Sequence, residues 1–300
     1  MSEIKLICPT CKGLIEIIRQ DEIVCNNCDE LFLVVSNTPV LLSKSNLLFS
    51  KNTSLDLTSS GFGSGVSAIV SKYLPDITLN KLQDKALCNF ISSLDARSRC
   101  LIIGAGDDDS IKQKIVSNGG SALVTDVIQS KIVDYVCDVT SLPFLDSQFD
   151  AVFIIAVLEH VVEPVGAVSE ISRVLKKDGL VFSAIPFMQQ VHMGCFDFQR
   201  YTQLGHRWLF SSFELIEVKP TSGAGSALLW SITSFFQSFV KSRAASLGVK
   251  TFVRIFLFWI KYFDLVQKNI PDYALGTYFI GRNKKEKVIN HRELIELYKK

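Results

Sequence analysis

Four cysteines near the start of the chain stand in two C-x2-C pairs: Cys8 with Cys11 in "CPTC", and Cys25 with Cys28 in "CNNC". Each pair turns the backbone so that two thiolates face one point. Two such turns close a tetrahedral all-sulfur site suited to Zn2+. With all four ligands from the protein no coordination position stays open, so the pattern predicts a structural metal. Two disulfides or four free thiols are the alternative. The remaining cysteines, Cys88, Cys100, Cys137 and Cys195, are scattered through apolar surroundings and read as small buried hydrophobes. A second group of chemistry-bearing residues lies downstream. It comprises Gly104 and Gly106 with Asp107, Asp108 and Asp109, then Asp126, Asp138 and the pair Glu159–His160. A third group, Gln189, Gln190, His192, Asp197, Gln199 and Arg200, is set among aromatics in "PFMQQVHMGCFDFQRYT".

The elements that must position these residues follow from pattern. "LIEIIRQDEIVC", with Asp21-Glu22 at its turn, and "ELFLVV" make a β-ribbon too small to fold without its metal. From about Ser67 helix-like and strand-like segments alternate. "LQDKALCNFISSL" has helical apolar spacing, "RCLIIGAG" is a short buried strand, and "DSIKQKIVSNG" reads as a helix capped by Asp109 and stopped by glycine. "SALVTD", "FDAVFIIAV" and "GLVFSAIP" are further strands, with "EPVGAVSEISRVLKKDG" an amphipathic helix between the last two. The crossover from Asp126 to Asp138 is short enough for one helical turn or none. This alternation predicts a parallel, doubly wound α/β sheet whose ligands sit at the carboxyl ends of the strands. Gly104, Gly106, Asp126, Asp138, Glu159 and His160 all fall at such ends, and Asp126 stands at the offset where a carboxylate takes ribose hydroxyls.

"CLIIGAG", "VTD", "CDVTSLPFLDSQFDAVFIIAVLEHV" and "EISRVLKKDGLVFSAIPF" together resemble class I S-adenosylmethionine-dependent methyltransferases of the type 11 kind. The resemblance is close over about 99–186 and most specific from Asp138 to His160. It implies a Rossmann-like, seven-stranded methyltransferase sheet with helices on both faces and S-adenosylmethionine over its first half. By that resemblance Gly104 and Gly106 pass under the methionine and ribose, Asp126 binds ribose hydroxyls, Asp138 meets the adenine amino group and Leu142 flanks the ring. Glu159 and His160 complete the cofactor edge. Two positions depart from the family pattern: its acidic residue within the first strand falls at Ile102, and its third glycine falls near Asp108. Asp107 or a neighbour then substitutes for the carboxylate missing at Ile102. The acidic loop agrees with a phosphate-free ligand bearing a sulfonium and an ammonium group, because three aspartates would repel the phosphates of NAD or a nucleoside triphosphate.

The expected order is a zinc ribbon (1–45), a linker and lid (46–66), the methyltransferase core (67–220), a helical insert (221–273), and the last strand with a tail (274–300). The segment after the fifth strand lines the acceptor pocket in this fold. His192 is assigned as the base for a hydroxyl acceptor, with Asp197 and Arg200 organising the pocket. A surface loop with a structural Asp–Arg pair is the alternative. In the insert, "SALLWSITSFFQSFVKS" and "VKTFVRIFLFWIKYF" are rich in Phe and Trp. Lys250, Arg254 and Lys261 recur there at near-helical spacing, which predicts either a basic amphipathic face (226–262) on an anionic membrane or a helical pair covering the sheet or forming a homodimer.

Composition bounds the rest. The chain has 300 residues, 48% of them hydrophobic, and a formal charge of +2. A sizeable core can form, and nothing pulls the whole protein toward polyanions. In residues 1–50 four basic residues face six acidic ones, which argues against nucleic acid as the ribbon's partner. Unpaired cysteines and an N-terminus without a basic, then apolar stretch lead us to expect a cytoplasmic protein. The expected function is methyl transfer to a small-molecule, glycan or lipid-linked acceptor. The alternatives are an RNA base methyltransferase and a non-catalytic scaffold on the same fold.

Overall fold

The computed structural model describes residues 4–19, 22–46, 48–49, 74–267, 271–286 and 288–298. Of the linker and lid expected at 46–66, only residues 46, 48 and 49 fall within that set. The N-terminal ribbon is an antiparallel meander of β1 (Ile15–Arg19), β2 (Glu22–Cys25), β3 (Leu31–Val35) and β4 (Thr38–Val40). Next come α1 (Lys81–Ser92), β5 (Arg99–Ile103), α2 (Ser110–Ser117), β6 (Ser121–Asp126) and the two-residue β7 (Tyr135–Val136). β8 (Phe149–Ile155), α3 (Pro164–Val174), β9 (Leu175–Pro186) and α4 (Gln203–Leu209) follow. The chain then forms β10 (Phe213–Ser222), α5 (Ala224–Gln237), α6 (Arg243–Phe256), β11 (Gly276–Asn283) and α7 (His291–Tyr298).

The strands form one sheet in the order β1-β2-β3-β4-β7-β6-β5-β8-β9-β11-β10. The last seven make the expected doubly wound sheet. They are parallel from β7 to β9, and β11 runs antiparallel to both of its neighbours. The ribbon is not a separate appendage. β4 pairs parallel with β7 at Val40 and Val136, and the Leu41 amide donates to the Val136 carbonyl at 2.7 Å. The seven-stranded sheet is therefore extended to eleven strands.

Two apolar layers sandwich the sheet. On one face Leu87, Phe90 and Ile91 of α1 and Ile115 of α2 pack on Phe153 and Phe182. On the other, Ile171 and Val174 of α3 and Leu209 of α4 pack on Val152, Ile154 and Phe279. Burial of each such side chain contributes about 1.5–3 kcal/mol.

Two local expectations are corrected, and for the β6–β7 crossover the structure takes the second of the two expected forms. The helix expected through Gly179 stops at Val174, where Leu175 turns into the core and begins β9, and Asp178 takes a left-handed φ of 62°. Between β6 and β7 there is no helix; instead the Asp134 carboxylate accepts the Val124 amide at 2.8 Å and holds the short crossover against β6. The insert is helical as expected, two helices and a 3-10 segment (Phe258–Leu265), but Lys261 does not join the expected exposed basic face. Lys261 points inward, its ammonium donating to the Asp76 carbonyl. Asp264 is also buried and accepts the Gly225 amide at 2.7 Å and the Ser226 hydroxyl at 2.6 Å, capping the start of α5. Trp230 of α5 donates to Thr78 at 3.1 Å, which ties the insert to the segment preceding α1.

Candidate active site

β5 ends in Gly104 and Gly106, whose φ values of 73° and 57° are left-handed. A Cβ on Gly104 would lie 2.1 Å from Val157 Cγ2, whereas one on Gly106 would meet nothing within 4 Å. The turn swings the chain away from the strand ends and opens a cleft of about 490 Å³, a size that suits a small organic cofactor. Its floor is Ile103 and Gly104, and its polar edge is Asp126, Asp138 and His160. Asp126 accepts the Gly106 amide and the Ile128 amide, each at 3.0 Å. Burial pushes its carboxyl above the ordinary range, against those backbone donors. A carboxylate has about four lone-pair directions, so two remain for a ligand. Asp138 accepts the Thr140 amide at 2.8 Å and the Asn46 side-chain amide at 2.7 Å.

Asn46 introduces the fourth wall of the cleft. Pro9, Thr10, Ser43, Asn46 and Phe49 all line it, so the cysteine-bearing ribbon forms part of the same cavity. Ser141 donates to the Pro9 carbonyl at 2.6 Å, and Lys12 bonds Glu170 at 3.3 Å, fixing the first knuckle to the core. The four cysteine sulfurs lie within 4.8 Å of one another. Cys8–Cys28 and Cys11–Cys25 stand at 3.7 Å and 3.4 Å, far beyond a disulfide bond of about 2.05 Å. The edge of a tetrahedron with bonds of about 2.3 Å is about 3.8 Å, so this donor set fits Zn2+. Asn27 and the Gly13 amide pull the Cys11 thiol down to about 6, while burial pushes the Cys8 thiol up.

Beyond the strand ends a second pocket, of about 330 Å³, is lined by Glu159, Gln189, His192, Thr221 and Trp230. Glu159 is wholly buried, and its carboxyl is pushed up to about 7, chiefly by that burial. Burial likewise lowers the affinity of His160 for a proton. Asp197 accepts the His192 amide at 2.9 Å, and its Oδ2 lies 3.3 Å from His192 Nδ1. Arg200 grips Asp197 with both terminal nitrogens and reaches back to the Gln189 carbonyl at 2.8 Å. The bidentate guanidinium holds the Asp197 carboxyl well below the usual range.

The structure thus brings His192, Asp197, Arg200, Glu159 and His160 together, and sets Gly104, Asp126 and Asp138 around the neighbouring cleft. Gly106, Asp107 and Leu142 do not line that cleft, and Glu159 lines the second pocket instead. Leu142 is fully buried in the core, and its amide donates to Glu170 at 2.9 Å; Val139, Thr140 and Ser141 line the cleft in its place. Asp107 is exposed on the loop just beyond the cleft lining, close enough for its charge to act on Asp126, and Ile102 is buried in the strand. Asp109 occupies the cap position of α2 but accepts from Gln113 rather than from a helix amide, and Asp108 accepts the Ser110 amide at 2.9 Å. The contributions of Asn46, Phe49 and Trp230 were missed, since no motif marks them and they reach the cavities only through tertiary packing.

A parallel sheet closed by one antiparallel strand, with its cleft at the glycine turn after β5, defines the Rossmann-like methyltransferase fold. Residues 115–183 match the family described as a methyltransferase domain. Comparison with curated proteins finds no match. Among solved structures the chain is similar to Haemonchus contortus phosphoethanolamine N-methyltransferase 2 in complex with S-adenosyl-L-methionine, at 17% identity and a TM-score of 0.46. That alignment covers 68% of this chain and 52% of the other, so the chain spans about half that enzyme's length. It is also similar to an S-adenosylmethionine-dependent methyltransferase from Methanosarcina mazei (14% identity, TM-score 0.41, covering 69% of this chain and 98% of the other). The [4+2]-cyclase SpnF aligns at 18% identity and a TM-score of 0.41, over 77% of this chain and 92% of its own. The match thus covers residues 115–183, and the fold around them is the Rossmann-like methyltransferase fold.

Proposed function

We propose that the protein transfers a methyl group from S-adenosylmethionine to a hydroxyl oxygen of a small-molecule, glycan or lipid-linked acceptor. One observation carries this reading: two cavities meet at adjacent residues, the cofactor cleft reaching His160 and the second pocket beginning at Glu159 and His192. Asp126 would hold the ribose hydroxyls and Asp138 the adenine edge. The cofactor, when bound, supplies an electrophilic methyl group on a positively charged sulfur. The chain's own contribution is alignment of the acceptor and removal of its proton. His192 Nε2 takes the hydroxyl proton, while Asp197 behind Nδ1 sets the tautomer and stabilises the imidazolium. The cysteine cluster is read as a structural zinc site that holds the ribbon wall of the cleft in place.

The test is labelled methyl transfer from S-adenosylmethionine by purified, zinc-replete protein into a fractionated extract of its own cell. Label in small-molecule, glycan or lipid fractions supports the proposal. Label in RNA, with binding that weakens steeply in salt, replaces it with an RNA methyltransferase. No label and no cofactor binding leaves a scaffold. His192→Ala should cut turnover about 10²–10⁴-fold with cofactor binding retained.

We further infer that the protein is cytoplasmic and docks on an anionic membrane. Phe235, Phe236 and Phe239 at the end of α5, Phe252 and Phe256 of α6, and Trp259 are all exposed, Phe239 at 71%. Lys241, Arg243 and Lys250 are exposed within the same insert. Rings flanked by cations suit a headgroup boundary. Among the described residues no helix is long and apolar enough to cross a membrane.

A further inference from the structure

Between the two cavities, one carboxyl group and two ring nitrogens face one another with no hydrogen bond between them. Glu159 is completely buried, and neither carboxylate oxygen has a hydrogen-bond partner. His160 Nδ1 lies 2.7 Å from the Phe196 carbonyl. A carbonyl only accepts, so that nitrogen carries the proton and Nε2 is left as a bare lone pair, 3.7 Å from Glu159 Oε1. His192 repeats the arrangement. Its Nδ1 stands 3.4 Å from the Gln190 carbonyl and 3.3 Å from Asp197 Oδ2, both acceptors, and its Nε2 faces the same Glu159 oxygen at 3.9 Å. The two rings meet edge to face with centroids 4.9 Å apart.

These separations are too long for hydrogen bonds. They suit a shared ion, because ligands each about 2.1 Å from one metal stand about 3–4 Å apart. The partners behind the rings are also those of a metal site. A backbone carbonyl behind His160, and a carboxylate behind His192, hold each imidazole in the tautomer that offers Nε2 to the centre. Arg200 in turn fixes Asp197. Two imidazoles and one carboxylate, opening on a cavity, are the donor set of a zinc-class ion with coordination positions left for a ligand.

We propose that Glu159, His160 and His192 bind a first-row divalent cation of the zinc class, distinct from the metal of the cysteine cluster. Binding stands on this geometry alone. Only its use rests on the methyl-transfer reading: the cation holds the acceptor hydroxyl at the junction of the two cavities and lowers its pKa. With the cation bound, His192 Nε2 is a ligand and no longer the base proposed for the metal-free protein, and the hydroxyl proton leaves to solvent through the second pocket.

The full-length protein, its cysteine cluster first filled with Zn2+, is dialysed against Co2+ and both metals are counted. The wild type should hold about one zinc and one cobalt per chain, the cobalt without a thiolate charge-transfer band. Glu159→Gln and His192→Ala should each keep the zinc and lose the cobalt. A wild type that takes no cobalt beyond the cysteine cluster, or variants that bind it equally well, overturns the proposal. Should both variants fail to fold, ring-proton signals of the wild type decide. Cobalt should shift His160 and His192 and spare His206 and His291, and unshifted signals at the first pair overturn the site. Cobalt bound without methyl transfer would leave the metal site standing and remove the function. Undiminished transfer by protein that takes no second ion would do the reverse.

Discussion

The two glycines of the β5 turn allow a quantitative test of the cofactor cleft, because the same substitution meets different surroundings at each. Ala at either position adopts a left-handed φ, which costs about 1–2 kcal/mol. At Gly104 the new methyl also falls 2.1 Å from Val157 Cγ2, while at Gly106 it enters open space. Val157 is β-branched with few alternative rotamers, so the overlap adds about 1–3 kcal/mol of overpacking. Gly104→Ala should therefore lose roughly 2–5 kcal/mol and Gly106→Ala about 1–2. For a chain of this size a kcal/mol is worth about 2–4 °C, giving a fall in Tm of roughly 4–20 °C for the first variant. Val157 lines the cleft, so the displaced side chain should also weaken S-adenosylmethionine binding at least tenfold, about 1.4 kcal/mol. Val157→Ala in the Gly104→Ala background removes the clash and should recover part of both losses. Thermal melts and isothermal titration of the variants measure this. Equal melting of Gly104→Ala and Gly106→Ala, with unchanged cofactor affinity, would refute the reasoning.

Cys25→Ser should release the zinc and, because Pro9, Thr10 and Asn46 wall the cleft, weaken cofactor binding as well; metal-free protein with full cofactor affinity would contradict the ribbon's role. His206 is fully buried between Thr277 and Ser183 at 3.0 Å each, and burial pulls its pKa down to about 3. The unfolded chain binds the extra proton below about pH 6.5, so this residue's contribution is complete above that value. It is lost toward pH 3 at up to about 1.4 kcal/mol per pH unit. Urea midpoints between pH 6.5 and 4 should fall more steeply for the wild type than for His206→Asn, and parallel slopes would exclude it. Vesicles with anionic lipid should float the wild type but not a Phe239→Ser/Phe256→Ser/Trp259→Ser variant; a wild type that never floats yet sediments as a dimer would assign the aromatic face to a second copy.

The sequence carries the parts of this molecule whose chemistry is local. The glycine turn, the aspartates at successive strand ends and the paired cysteines each demand a residue type at a fixed spacing, and each occupies the expected place in the sheet. What depends on distant packing was not legible. The pairing of Val40 with Val136 joins ribbon to core through a single parallel contact between residues of no special type. Lys261 fits a basic helical stripe by spacing, yet the 3-10 segment rotates it inward to the Asp76 carbonyl. Leu142 belongs to a family motif, and in this chain the segment around it is drawn into the core by Glu170, Arg173 and Phe144. The facing lone pairs of Glu159, His160 and His192 emerge only when the loop after β9 folds back over the end of β8.

Isothermal titration of zinc-replete protein with S-adenosylmethionine tests the central claim most directly. The wild type should bind one cofactor per chain. Asp126→Ala, which removes both the ligand carboxylate and the anchor of the Gly106 amide, should abolish the heat while the far-UV spectrum stays native. A wild type that is folded, zinc-loaded and silent toward S-adenosylmethionine would contradict the methyltransferase reading.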